Sequence, residues 1–270
     1  MLISNSKINH IPNIQINYNP IGGPHDPAKN FQMSYINNSS TPYAKFLGVL
    51  VDPQLTFKNH IAAVTKKVST ALYFIRNAKN LLNERALKSI YYAIFHSHLI
   101  YGIQLWSCCN DSLLNSLYKK QKMAIRLITN SRYNSHTEPL FKKLKILPLP
   151  MLCEFFKVQF MQQFTQKFLP TAILTQWVTN VVRRDNEAHV VLRNDDLLHI
   201  PPARTNATAK LPLTSFPRIW TEFPAEEIKF MRNKIEFNSN LKMHFLNKLS
   251  PRVVCDRLLC PDCHLNAQLG

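Results

Sequence analysis

The chain has 270 residues, 46% of them hydrophobic, which is enough to bury a sizeable core and excludes a disordered tail. Lys and Arg total 33 against 16 Asp and Glu, giving a net charge of +17 and a sequence pI near 9.8. That excess favours a polyanionic partner, either nucleic acid or an anionic membrane face, and weighs against a cationic substrate.

Five glycines occur, where an average composition would give roughly 19. None of Gly22, Gly23, Gly48, Gly102 and Gly270 falls in a phosphate-loop or dinucleotide pattern. Those sites need glycine where backbone N–H groups approach phosphate, so both are excluded. Six cysteines in a chain of this length do not read as a secreted disulfide scaffold. The opening MLISNSKINH has no sustained apolar run after a basic start, so no signal peptide is read. The expected location is intracellular and reducing, the nucleus included.

In chain order, Ile14, Ile16 and Tyr18 alternate with polar residues, as a strand does, and IGGPHDPA at 21–28 is turn chemistry. KFLGVLVDPQL at 45–55 reads as a buried strand closed by a turn at Asp52-Pro53. From Thr56 the period becomes helical. Ile61, Val64, Val68, Leu72 and Ile75 mark one face, and Leu87, Ile90, Tyr91 and Ile94 a second helix capped by Asn83. Asp111 is the expected cap of a third, with Leu114, Leu117, Gln121, Ile125 and Ile128 inward. Thr137-Glu138-Pro139 reads as a further start, and Leu149–Phe168 as a fifth helix after LPLP.

Ser89–Trp106 carries no formal charge over 18 residues, the length of a membrane span. His96, His98, Gln104 and two serines would be costly in lipid, so a buried helix is the reading. Beyond Leu169, prolines punctuate short runs. Irregular structure, a hairpin near 188–200 and a final helix around 227–249 are expected there. The fold class read from this pattern is mainly α. It comprises a short N-terminal β segment over 1–56, a basic helical block over 57–168, an irregular region with a final helix over 169–250, and a Cys/His tail over 251–270.

The charge is localised. Residues 57–150 hold 15 Lys or Arg against Glu84, Asp111 and Glu138, a net +12, while 1–56 carry +1 and 151–270 carry +4. Lys66, Lys67, Arg76 and Lys79 lie off the apolar stripe of the first helix, as do Lys119, Lys120, Lys122 and Arg126 on the third. Lys142, Lys143 and Lys145 follow. Solubilising helix faces normally mix both signs, and this block barely does, so phosphate contact is the stronger reading.

KFLGVLVDPQLTFKNHI at 45–61 resembles the stretch just past the polymerase palm in reverse transcriptases of non-LTR, LINE-type retrotransposons of the jockey/CR1 kind. The likeness continues through LIYGIQLWS at 99–107, KKQKMAIRLITNSRYNSHTEPLFKKLKILPL at 119–149 and RNDDLLHIPPART at 193–205. FPRIWTEFPAEEI at 216–228 and VVCDRLLCPDCH at 253–264 extend it. The resemblance implies a palm edge followed by a helical thumb. It makes Phe46, Leu47 and Gly48 a primer grip, with RNA/DNA template–primer as the partner. The alternative role for these three is a core strand whose glycine permits close packing. Lys66, Lys67, Arg76, Lys119, Lys120 and Arg126 are the candidate contacts to nucleic acid.

The same resemblance implies a polymerase site of an aspartate pair and a third aspartate holding two magnesium ions. That site would lie N-terminal to F-L-G-V, where the residues before Phe46 contain one acid, Asp26. The chain is therefore expected to start after its catalytic half and to be inactive as a polymerase alone, with no catalytic residue and no magnesium of its own. Asp195-Asp196 superficially mimics the pair, but it lacks the preceding aromatic and lies past the thumb, so an exposed turn is expected.

Cys255, Cys260, Cys263 and His264 have the spacing C-x4-C-x2-C-H and could hold a structural zinc, with His244 in place of His264 as a variant. Free thiols and a redox pair are the alternatives. Cys108, Cys109 and Cys153 sit in apolar surroundings and are expected to be buried. The function expected is that of a truncated non-LTR reverse transcriptase retaining its template–primer-binding thumb. The other classes weighed are a non-enzymatic basic nucleic-acid-binding protein derived from such an element, and a membrane-associated basic protein.

Overall fold

The structure is a computed structural model that describes residues 43–170, 200 and 202–249, and residues 15–16, 31–32 and 207 by backbone alone. The turn at 21–28, the hairpin near 188–200 (all but its last residue), Asp195-Asp196 and the cluster Cys255, Cys260, Cys263 and His264 lie outside the described residues. The chain divides into two compact units, 1–63 and 64–270.

The first unit carries two short antiparallel pairs. β1 (Gln15–Ile16) runs against β2 (Phe31–Gln32), with Gln15 opposite Gln32. β3 (Ala44–Phe46) runs against β4 (Val49–Val51), with Phe46 opposite Val49. The single strand expected over 45–51 is thus a hairpin. Leu47 and Gly48 form its two-residue turn, with φ of 44° and 83°. Two successive positive φ values suit the right-handed twist of the flanking strands. Val49 and Val51 are buried, but Phe46 and Leu47 stand out of the fold. The core-strand alternative for Phe46–Gly48 therefore does not hold.

The turn at Asp52-Pro53 forms as expected. Both carboxylate oxygens of buried Asp52 accept from Thr56, from its N–H and its hydroxyl, each at 2.6 Å. The first residues of α1 (Lys58–Ala78) complete the unit.

In the second unit, α1 continues with Val64, Val68, Ala71, Leu72 and Ile75 buried, matching the apolar spacing read from the sequence. Asn83 caps α2 (Glu84–Ile90), its side-chain oxygen accepting from the Ala86 N–H at 2.9 Å. The helix then loosens into a π-helical turn over Tyr91–His96 and resumes as α3 (Ser97–Ile100). Gly102, at φ 64°, breaks the run before α4 (Ile103–Trp106). The Trp106 indole N–H closes that bend on the Tyr101 carbonyl at 2.8 Å. No helix among the described residues is long and apolar enough to cross a membrane.

Asn110, not Asp111, caps α5 (Asp111–Ile128), because Asn110 has extended backbone dihedrals and accepts from the Ser112 N–H at 3.0 Å. Asp111 is already helical, and its carboxylate pairs instead with Lys210 at 2.7 Å. α6 (Glu138–Leu144) and α7 (Leu149–Thr165) follow, each with proline in its first turn.

Where irregular structure was expected, the described residues form α8 (Asn206–Lys210) and α9 (Pro212–Glu222), and the final helix expected around 227–249 is two helices, α10 (Glu226–Lys229) and α11 (Lys234–Lys248). Prolines sit at or near helix starts there, except Pro217 inside α9. The pattern that looked like loop chemistry is helix punctuation.

α7 is the central strut and packs against α4, α5, α9 and α11. Its glutamines make the polar part of that docking. Gln159 donates to the Asn238 side-chain oxygen, and Gln162 and Gln166 both donate to the Met231 carbonyl, each at 2.9 Å. Met161, Phe164 and Phe216 join α7 to α9 through apolar contact.

Helix ends in this glycine-poor chain close without glycine. Asn130, Lys145 and Lys167 take positive φ of 49°, 54° and 58°. The next N–H in each case reaches back into the last turn, Ser131 to Arg126, Ile146 to Phe141 and Phe168 to Gln163.

Candidate nucleic-acid interface

On α1 the apolar stripe turns inward, so the opposite face is left to solvent. Lys66, Lys67 and Arg76 are exposed on that side. No acid occurs anywhere in the helix. Lys67 lies near enough to His98 for its charge to depress that imidazole, after the larger effect of burial.

On α5, Lys119 is exposed and Lys120 half-buried. Lys122 lies 4.3 Å from the Tyr118 ring centroid, a cation–π contact. Arg126 is placed differently from the expectation of a phosphate contact. Its Nε and Nη2 both donate to the Ser135 carbonyl, at 3.0 and 2.9 Å, so the guanidinium braces the connection from α5 to α6.

Of the three acids in the basic block, Glu84 pairs with Lys143 at 2.6 Å and Asp111 with Lys210. Lys142 and Lys145 beside that first pair remain exposed. Lys145 occupies the left-handed position that closes α6.

A convergence that the sequence reading missed involves Lys88 of α2, Lys145 and Lys242 of α11. Burial first, then the charges of Lys88 and Lys145, lower the ammonium pKa of Lys242. The charges of Lys88 and Lys145 thus both act on Lys242. Burial and the Lys242 charge also push the His96 imidazole down to about 4, so it is neutral near pH 7. No local signal marks this cluster, because its members are brought together only by packing.

Phe46, Leu47 and Gly48 sit at the hairpin tip of the first unit, with Leu47 75% exposed and Phe46 62%. The candidate zinc ligands lie outside the described residues, and among the described residues no group of three or more His, Cys, Asp or Glu could hold a metal. His244 packs against the Phe223 ring at 4.9 Å between centroids. Cys109 and Cys153 are buried as expected, and burial pushes both thiols up to about 12, while Cys108 is only partly buried. Thiols so shifted are poor nucleophiles.

No family model matches the chain, and no solved structure matches it. It is similar to RNA-directed DNA polymerases of Drosophila melanogaster transposons. The probable polymerase of transposon BS is 30% identical over 106 residues, and that of the X-element 28% over 106. The polymerase of the mobile element jockey is 27% identical over 105 residues. Each match takes in 38% of this chain and 12% of the relative, so the matched part spans a small fraction of those polymerases. The resemblance to non-LTR reverse transcriptases read from the sequence is borne out.

Proposed function

We propose that the chain acts as the nucleic-acid-holding thumb of a non-LTR reverse transcriptase, gripping RNA/DNA template–primer through phosphate contacts from its basic helices. One observation carries this reading. The +12 block folds into helices that bury apolar stripes and leave Lys66, Lys67, Arg76, Lys119 and Lys142 exposed, while two of its three acids are tied to Lys143 and Lys210. Lysines presented this way bind phosphate by counterion release, with little preference for base sequence. The exposure of the hairpin tip at Phe46–Gly48 supports a primer-grip role for those residues.

Nucleotide transfer is not assigned to this chain alone. Magnesium-dependent polymerisation needs paired carboxylates free to bind metal. Asp52, the described carboxylate next in sequence to the hairpin tip, has both oxygens engaged by Thr56.

The test is binding of a labelled RNA–DNA template–primer by the purified chain over a salt series. Affinity should fall steeply with salt, and the slope should shrink by about 2 when Lys66 and Lys67 become Ala, from about 0.9 per phosphate contact. An affinity that stays flat with salt would remove the reading.

A further inference from the structure

The exposed face of α1 holds more than cations. Tyr73 and Phe74 are adjacent, 62% and 55% exposed, with ring centroids 6.2 Å apart and planes inclined by 65°. Leaving two large aromatics in water is unfavourable, and the packing of α1 does not need them, because its buried stripe lies on the other side.

Helical spacing arranges the rest of the face around them. Lys66, Thr70, Tyr73 and Asn77 step by three and four residues along one row. Lys67 and Phe74 stand two turns apart in the next row, about 10 Å along the axis. Arg76 lies three residues past Tyr73, on the next turn. An apolar surface with three cations and no acid on its helix is complementary to an anion that also carries flat apolar faces.

We propose that this face binds an unpaired nucleic-acid strand, with bases stacked on Tyr73 and Phe74 and phosphates held by Lys66, Lys67 and Arg76. Aromatic platforms beside cations are how single strands are held without sequence preference, since every base has a π-face. The ring geometry offers stacking to an unpaired strand and none to a duplex. Two rings inclined by 65° cannot both lie parallel to the bases of one continuous stack, whereas splayed bases of a single strand can meet each ring separately. The inference rests on the proposal that the chain binds nucleic acid, and it adds the strand type and the stacking residues.

The experiment uses the intact chain with three labelled probes: oligo(U), oligo(dT) and a blunt RNA–DNA duplex. Replacing Tyr73 and Phe74 together by Ala should weaken both single strands by about thirtyfold or more, the loss expected when two stacked bases lose their platforms. Duplex affinity and the salt slope should stay unchanged. Tyr73→Trp with Phe74→Trp should restore single-strand binding, which a general loss of folding would not allow.

Single-strand binding within twofold of wild type in the Ala variant, with the salt slope intact, would overturn the stacking site and leave the basic-thumb reading standing. Equal weakening on duplex and single strand would overturn the strand preference. Self-association of the wild type that disappears in the Ala variant, without any change in affinity, would assign the face to a protein contact and also overturn the proposal. Absence of salt-dependent binding to every probe would instead sink the nucleic-acid function itself.

Discussion

The side-chain amide of Gln121 on α5 donates to the hydroxyl of Tyr91 in the π-helical turn at 3.0 Å, with both residues buried. The same amide donates to the Leu147 carbonyl at 3.0 Å, and its oxygen accepts from the Leu149 N–H at 2.7 Å. One polar side chain thus ties three segments together and supplies a partner to an N–H in the first turn of α7. Replacing Gln121 by Leu should cost about 3 kcal/mol, because it strands three buried polar groups. Tyr91→Phe should cost about 1 kcal/mol, since it removes a single bond and little volume. Urea denaturation measures both, and equal losses for the two variants would contradict this asymmetry.

His96 should make stability sensitive to mild acid. Its imidazole is held down to about 4 by burial and by Lys242, against an ordinary value of 6.5. Below 6.5 the unfolded chain takes up a proton that the native site refuses, so stability is lost as pH falls toward 4. The loss should be on the order of 3 kcal/mol over that window. His96→Gln should flatten the curve of melting temperature against pH between 6.5 and 4.5. An unchanged curve in the variant would mean that other groups dominate.

Lys88 and Lys145 both repel the Lys242 ammonium. Lys242→Met should therefore raise stability by about 0.5 kcal/mol at low ionic strength. The gain should vanish near 1 M salt, where screening reaches only about 3 Å. The same variant should bind template–primer more weakly if the trio contacts phosphate. Thermal melts at two ionic strengths and one binding titration decide it.

Leu47 holds a left-handed conformation at the hairpin tip while exposing an apolar side chain. Leu47→Asn should stabilise the turn by about 1 kcal/mol, because Asn tolerates that backbone region. If the tip grips a primer, the gain in stability should come with weaker template–primer binding. Loss of stability in the variant would mean that Leu47 is held there by packing.

Much of the helical architecture was legible in the residues. The spacing of Val64, Val68, Leu72 and Ile75 marked the buried face of α1, and Asn83 its neighbour's cap. Gln121 could be placed on the inner face of α5, although its three partners could not. The hairpin at Leu47-Gly48 looks like one strand in the sequence, because a short apolar run does not show where it reverses. Helices α8 and α9 look like loop in the sequence, since prolines that start helices look the same as prolines that break them.

The sequence by itself determined how much positive charge the chain carries, that most of it lies in one helical block, and which residues of each helix face away from the core. Charge and helical period are properties of neighbours three or four positions apart, so they can be read along the chain. Only the tertiary structure decided which cations stay exposed. It turned Arg126 onto the Ser135 carbonyl, paired Lys143 with Glu84, and brought Lys88 and Lys145 near enough to Lys242 for their charges to act on it. Those outcomes depend on how α2, α6 and α11 pack, and packing joins residues too far apart in sequence for any local pattern to record.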